Sequence, residues 1–223
     1  MVSTGVPSLD NLLGSDGYPD RSTVLLVGAP GVGKEALGYW FAYSGLSQGD
    51  FCLYITTLTT RQVIKDSGAF GISYEQRVPL WIASSGGQVK LDVNDLPGLS
   101  FNIKDILKKN SDRRIRIVSD VLSPLLMLHQ PETIYRFLSQ LFDEIRQRDV
   151  VFLATLEDGM HLPQVNTAME RLFDGVLELR IYEEGLRFVP LLRLRKMLGV
   201  PPQPGYFNFS FTRNGMEISS YVK

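Results

Sequence analysis

Apolar positions along the chain fall into short runs, and between the runs they recur at helical spacing. Residues 23–27 (Thr-Val-Leu-Leu-Val) are apolar, rich in branched side chains and end at a glycine, the pattern of a strand covered on both faces of a parallel sheet. Residues 34–46 carry Leu37, Trp40, Phe41 and Tyr43 and suit a mostly apolar helix, closed by Gly49 before a strand pattern resumes at residues 51–55. This is a βαβ unit. Further strands are expected at residues 80–83, 115–119, 150–155 and 175–180, separated by helical stretches around 61–70, 103–109 and 132–148. In the last of these Ile134, Phe137, Leu138, Leu141 and Ile145 form an ordinary core face. After residue 179 the pattern turns to runs at 186–194, 206–212 and 216–221. A Pro-rich turn at 200–205 and Arg213-Asn-Gly215 separate them, so the chain is expected to end in antiparallel strands. The expected fold is α/β, a mainly parallel sheet flanked by helices. No linker or internal repeat divides it, so residues 1–223 are expected to form one domain.

Composition narrows the function classes. With 23 basic and 24 acidic residues the formal charge is −1, which gives no support to a dedicated nucleic-acid binder. The only dense basic cluster, Lys108, Lys109, Arg113, Arg114 and Arg116, reads first as a solvated face and second as a nucleic-acid or acidic-partner contact. Cys52 is the single cysteine and the N-terminus has no secretory pattern, so a cytoplasmic protein is expected. No apolar run approaches the ~18 residues of a membrane-spanning helix. His129 and His161 are too few and too far apart in sequence to suggest a zinc site.

Gly28, Ala29, Pro30, Gly31, Val32, Gly33 and Lys34 fit G-x-x-x-x-G-K between an expected strand and an expected helix, the context a phosphate-binding loop requires. There the glycines let backbone N–H groups wrap phosphates, the lysine reaches the outer phosphates, and the helix that continues through Ala36 presents its positive end. The next position normally carries a Ser or Thr hydroxyl for Mg²⁺, and here it is Glu35. One added charge at ~4 Å is worth up to about 4 kcal/mol at an effective dielectric near 20, so Glu35 could weaken phosphate binding severely. Other outcomes stay open: Glu35 ligates Mg²⁺ itself, swings to solvent, or only favours the helix dipole. Asp120 ends a later strand, where P-loop proteins place the carboxylate that holds Mg²⁺ or its water.

The opening Ser3-Thr-Gly-Val-Pro-Ser-Leu-Asp10-Asn-Leu-Leu-Gly14, then Gly17-Tyr-Pro19 and the phosphate loop, resemble the KaiC-like and RadA-paralogue branch of the RecA-superfamily ATPases. Asp120-Val-Leu-Ser-Pro124, Phe173-Asp-Gly175-Val and the closing run 207–221 are similar to the same branch. The resemblance implies a RecA-like core that binds ATP and often assembles into rings or filaments with nucleotide between subunits; the expected ligand is ATP or ADP, with Mg²⁺ as a candidate companion ion. It also implies a pair of glutamates after the second strand, where this chain reads Leu58-Thr59-Thr60, and a Lys-x-Arg-Gly segment reaching a neighbour's phosphates. Here Lys196-Met-Leu198-Gly199 keeps the lysine and lacks the arginine. Loss of a base commonly slows turnover roughly 10²–10⁴-fold and loss of an arginine finger roughly 10³–10⁵-fold. The expectation is a nucleotide-binding, hydrolytically impaired module acting through protein partners or its own copies. An ATPase completed by Glu157 or a partner, and a DNA-binding accessory, are the alternatives.

Overall fold

The computed structural model describes residues 1–14, 17–74, 80–84, 86–212 and 215–220. Along the chain these form α1 (Pro7–Leu12), β1 (Thr23–Gly28), α2 (Lys34–Gln48), β2 (Phe51–Ile55), α3 (Thr60–Ala69), β3 (Leu80–Ser84), β4 (Val89–Lys90) and α4 (Leu96–Lys109). They continue as β5 (Ile115–Ser119), α5 (Leu122–Leu128), α6 (Pro131–Arg146), β6 (Val150–Glu157), α7 (Pro163–Leu172), β7 (Gly175–Glu184), β8 (Arg187–Met197), β9 (Phe207–Thr212) and β10 (Gly215–Ser220). The strands make one sheet in the order β10-β9-β8-β7-β1-β6-β5-β2-β3-β4. From β7 through β4 neighbours pair in parallel, and β7–β8, β8–β9 and β9–β10 pair antiparallel.

β1 is buried along its whole length because β6 and β7 flank it and both faces of the sheet are covered. One core packs α2 against one face, and the other packs α4, α5, α6 and α7 against the opposite face. The helix α2 is apolar nearly all round, a pattern that needs cover on both sides. The sheet covers one side, and the β9–β10 hairpin contributes to the other: the Phe211 ring lies 5.9 Å from the Trp40 ring, and Ser8 of α1 donates a hydrogen bond to the Met216 carbonyl. The C-terminal strands expected from the sequence therefore return across the first helix. Arg213, Asn214 and Tyr221, which the sequence reading puts in and beside that hairpin, lie outside the described residues.

Several elements differ from the sequence expectation for identifiable reasons. α4 begins at Leu96, ahead of the expected 103–109, because Asp95 caps it by accepting from the Gly98 N–H at 2.9 Å and Pro97 suits a first turn. α5 was not expected: its residues Leu-Ser-Pro-Leu-Leu-Met-Leu show no polar face and so no helical period. α7 and the two-residue β4 were also missed. The basic cluster needs correction. Arg116 is 0% exposed, and its guanidinium donates to Asp50 at 2.7 Å, to the carbonyls of Ser3 and Phe41 and to Gln48. Gly45 leaves room for it, since a Cβ there would stand 2.5 Å from Arg116 Cδ and Nε. Lys109 pairs with Asp105, Arg113 with Asp112, and Arg114 with Asp149 and Asp20, so neighbouring carboxylates compensate these three, while Lys108 is exposed.

Candidate functional site

Parallel α/β sheets bind ligands at the carboxyl ends of their strands, and the loop from Gly28 to Lys34 joins that end of β1 to α2. Gly31 (φ +78°) and Gly33 (φ +96°) adopt left-handed backbone that other residues resist, and this curls the loop. The N–H groups of Gly31, Gly33, Lys34 and Glu35 meet no backbone carbonyl among the described residues. They are the free donors of a helix N-terminus, a set that fits phosphate oxygens. Ala29 and Val32 close the turn through the Val32 N–H and Ala29 carbonyl, at 3.3 Å. Pro30 is exposed at its outer edge, and Ala36 is buried beneath it.

Lys34 is 0% exposed, and its ammonium donates to Glu35 Oε1 and Glu157 Oε2, each at 2.8 Å, with the Ala29 carbonyl at 3.5 Å. Burial pulls its pKa down, but the hydrogen bonds to Glu157 and Glu35 outweigh that and hold the ammonium more firmly protonated than usual. Glu157 ends β6 directly across the ladder from Gly28, and its backbone N–H donates to Ser123 Oγ of α5 at 2.9 Å. The sequence reading raised Glu157 only as a substitute base. Its place on Lys34 depends on β6 lying beside β1, which chain order does not reveal. Asp120 follows β5 and accepts from Thr155 Oγ1 at 2.6 Å. Burial pushes its carboxyl up to about 6; the Thr155 bond and Lys34 oppose this, and Glu35 and Glu157 add to it. Lys34 thus stands among three carboxylates.

The donors suit a phosphate chain through the free N–H groups and Lys34. For Mg²⁺, Asp120, Glu35 and Glu157 supply the right hard oxygens. Among the described residues no group of three or more His, Cys, Asp and Glu side chains converges on a metal position. Glu35 and Glu157 would have to leave Lys34 to serve as ligands.

At the position where the resemblance implies glutamates, Thr59 caps α3. Its Oγ1 accepts from the Gln62 N–H, and the Gln62 side chain accepts from the Thr59 N–H, a reciprocal capping box. Phe211 was missed by sequence reasoning: a Cβ on Gly33 would stand 2.2 Å from its Cζ, so the ring of β9 rests directly on the phosphate loop. A lone aromatic in a terminal strand carries no signal of such a contact. Lys196 is not brought to the loop of its own chain. It pairs with Val176 at the start of β7, whereas Gly28 pairs with Leu179 further along, and its ammonium donates to the carbonyls of Arg171 and Phe173 at the end of α7. Burial lowers its pKa. Leu198, where the resemblance implies arginine, is exposed.

Among the described residues no helix is long and apolar enough to cross a membrane. The chain is 27% identical over 204 residues to the circadian clock protein KaiC2 of Synechocystis, a match covering 88% of this chain and 35% of that protein. It is 28% identical over 237 residues to a UPF0273 protein of Methanopyrus kandleri, covering 97% and 91% of the two. It thus spans about a third of the first relative and most of the second. The crystal structure of a KaiC-like protein from Pyrococcus horikoshii OT3 superimposes with a TM-score of 0.80 at 23% identity, covering 97% of each chain, and shares the fold. The family model for KaiC ATPases matches residues 2–222, a span that holds the whole sheet and the phosphate loop. The chain belongs to the KaiC ATPase family.

Proposed function

We propose that the chain binds ATP or ADP at the Gly28–Lys34 loop and serves as a regulatory or partner-binding module that turns nucleotide over slowly. The observation that carries this reading is the Lys34 ammonium held between Glu35 and Glu157 beside free loop N–H groups. Phosphate must compete with two carboxylates for the lysine, and Thr59, a capping residue, offers no base. Gly28, Ala29, Pro30, Gly31, Val32, Gly33, Lys34, Glu35 and Ala36 would line the phosphates, and Asp120 would hold Mg²⁺ or its water. Mg²⁺ would neutralise phosphate charge amid these carboxylates, so binding should depend on the metal more steeply than in P-loops with Ser or Thr after the lysine. Lys196 is the residue that would reach the nucleotide of a neighbouring copy, which requires leaving the Arg171 and Phe173 carbonyls.

Steady-state ATP hydrolysis with Lys34→Ala as control tests the reading, and lysine-dependent turnover near or above ~1 s⁻¹ overturns it. Titration calorimetry of the wild type and Glu35→Thr, with and without Mg²⁺, checks the metal dependence. Identical metal dependence in both would remove Glu35 from phosphate and metal handling. One observation favours the alternative of an active ATPase: Glu157 brings a carboxylate to within 2.8 Å of the Lys34 ammonium. That alternative expects turnover on assembly or partner addition, abolished by Glu157→Gln.

A further inference from the structure

At the end of the sheet away from the phosphate loop, where the chain enters β1, β5 and β6, lies a polar cavity of about 280 Å³. Arg21 reaches it from the turn before β1, Ser111 and Arg113 from the turn between α4 and β5, and Gln147 and Arg148 from the turn between α6 and β6. Backbone bonds fix these walls: the Ile115 N–H donates to the Asp149 carbonyl at 2.9 Å, and the Phe152 N–H donates to the Ser22 carbonyl at 3.0 Å. Asp149 is the only acid among the described residues that line the cavity, and it accepts from Arg114 Nε at 3.1 Å. Arg113 holds the exposed Asp112. The guanidiniums of Arg21 and Arg148 make no hydrogen bond or ion pair among the described residues. The helices that end beside the cavity, α4 and α6, already carry Lys108, Lys109 and Arg146 in their last turns, so their dipoles do not require Arg21 or Arg148. Arg21 is also the only non-glycine among the described residues in left-handed backbone, at φ +56°. Strain of this kind persists where the surroundings impose it, and it collects at ligand clamps.

We propose that this cavity binds the phosphoryl group of a small molecule, with Arg21 and Arg148 as the clamp, Arg113 as a third cation and the Ser111 hydroxyl as a neutral donor. A guanidinium stays charged and presents paired N–H donors in a planar fork that matches phosphate oxygens. Two cations lining one cavity repel each other, and a doubly charged anion between them turns that repulsion into attraction. The volume lies just below that of pockets for drug-sized ligands and suits pyrophosphate or a sugar phosphate. The Gly28–Lys34 loop stands at the other end of β1, so the two sites fill independently. Arg21 and Arg148 are far apart in sequence, and the parallel pairing of β1 with β6, Thr23 opposite Phe152, makes them neighbours.

The test follows amide shifts of the full chain in ¹H–¹⁵N correlation spectra at about 150 mM NaCl, where loose charge attraction is screened beyond about 8 Å. The probes are pyrophosphate, ribose 5-phosphate and a short single strand of DNA. In the wild type the amides of Ser111, Arg113, Gln147 and Arg148 should shift saturably with a Kd in the millimolar range or tighter, and the same shifts should persist in Lys34→Ala. Arg148→Ala, and Arg21→Gly, which permits the same left-handed backbone, should each weaken this response at least about 10-fold, the loss expected of a charge-assisted hydrogen bond. Both positions are exposed or half-buried, and each variant's own spectrum reports its folding. Any response of the Gly28–Lys34 amides should be the same in both variants as in the wild type. Saturation by pyrophosphate alone identifies free phosphate as the ligand, and saturation by ribose 5-phosphate identifies a phosphate ester; either supports the proposal. Shifts that stay linear up to about 20 mM, the mark of an adventitious ion only, overturn it. So do two folded variants that bind like the wild type, and binding of the DNA strand without either small molecule, since the arginines would then follow a nucleic-acid backbone.

Discussion

Lys34 and Arg116 are both 0% exposed and both paired with carboxylates, yet their surroundings differ in kind. Arg116 enters at the start of β5, at the end of the sheet away from the phosphate loop, where Asp50, Gln48 and two backbone carbonyls use its donors and the Phe41 ring lies 4.8 Å beneath its guanidinium. Asp50 is itself largely buried, so the pair is mostly shielded from water. Lys34 is held instead by Glu35 and Glu157, whose side chains are partly exposed, and it adjoins N–H groups with no backbone partner. A buried cation whose partners are buried fastens the fold. One whose partners can move into water can exchange them for a ligand.

The largest effect should come from Arg116→Met, which strands Asp50 and should cost about 3–5 kcal/mol in urea unfolding. A loss below about 1 kcal/mol would erase the distinction drawn between the two cations. Lys34→Ala should change stability by no more than about 1 kcal/mol, because Glu35 and Glu157 can rehydrate. The same substitution should weaken nucleotide binding by about 1.5–3 kcal/mol, roughly 10–150-fold by calorimetry, the worth of a charge-assisted hydrogen bond. If it instead destabilises the fold as much as Arg116→Met, Lys34 is a structural ion pair. Gly45→Ala crowds Arg116 and should cost about 1–3 kcal/mol through overpacking, whereas Gly49→Ala meets no nearby atom and should act only through its positive φ. Equal losses for the two would deny the crowding at Arg116.

The smallest effect is a pH slope. Asp120, raised from 3.8 to about 6, keeps a proton in the folded state that the unfolded chain gives up between those values. Its contribution to stability is therefore full below the unfolded value and is lost as pH rises through about 6. Urea unfolding of metal-free and nucleotide-free protein from pH 4 to 7 should show a smaller loss, or a larger gain, of stability with rising pH in Asp120→Asn than in the wild type. An unchanged slope would assign it to other groups.

Elements with a clear period were legible in the chain: β1, β2, β5, α6 and the closing strands follow from alternation, burial runs and helical spacing. Elements that lack one face were not. α5 is apolar throughout, and α7 has only Met169 wholly buried, so neither shows a stripe. The candidate site divides in the same way. Gly28 to Lys34, Glu35 and Asp120 belong to local patterns whose chemistry depends on neighbours in sequence, whereas Glu157 and Phe211 reach the loop only through the placement of distant strands.

The sequence by itself determined that a glycine loop and lysine join a buried strand to a helix, that Glu35 replaces the usual hydroxyl, and that antiparallel strands close the chain. Those are properties of adjacent residues, set by backbone freedom and side-chain type. Only the tertiary structure decided that β6 lies against β1 and so puts Glu157 on Lys34, that Arg116 is buried rather than part of a basic surface, and that Arg21, Arg113 and Arg148 line one cavity. Each depends on which strands become neighbours and how far they extend, and that is settled by burial of the whole sheet rather than by any local run of residues.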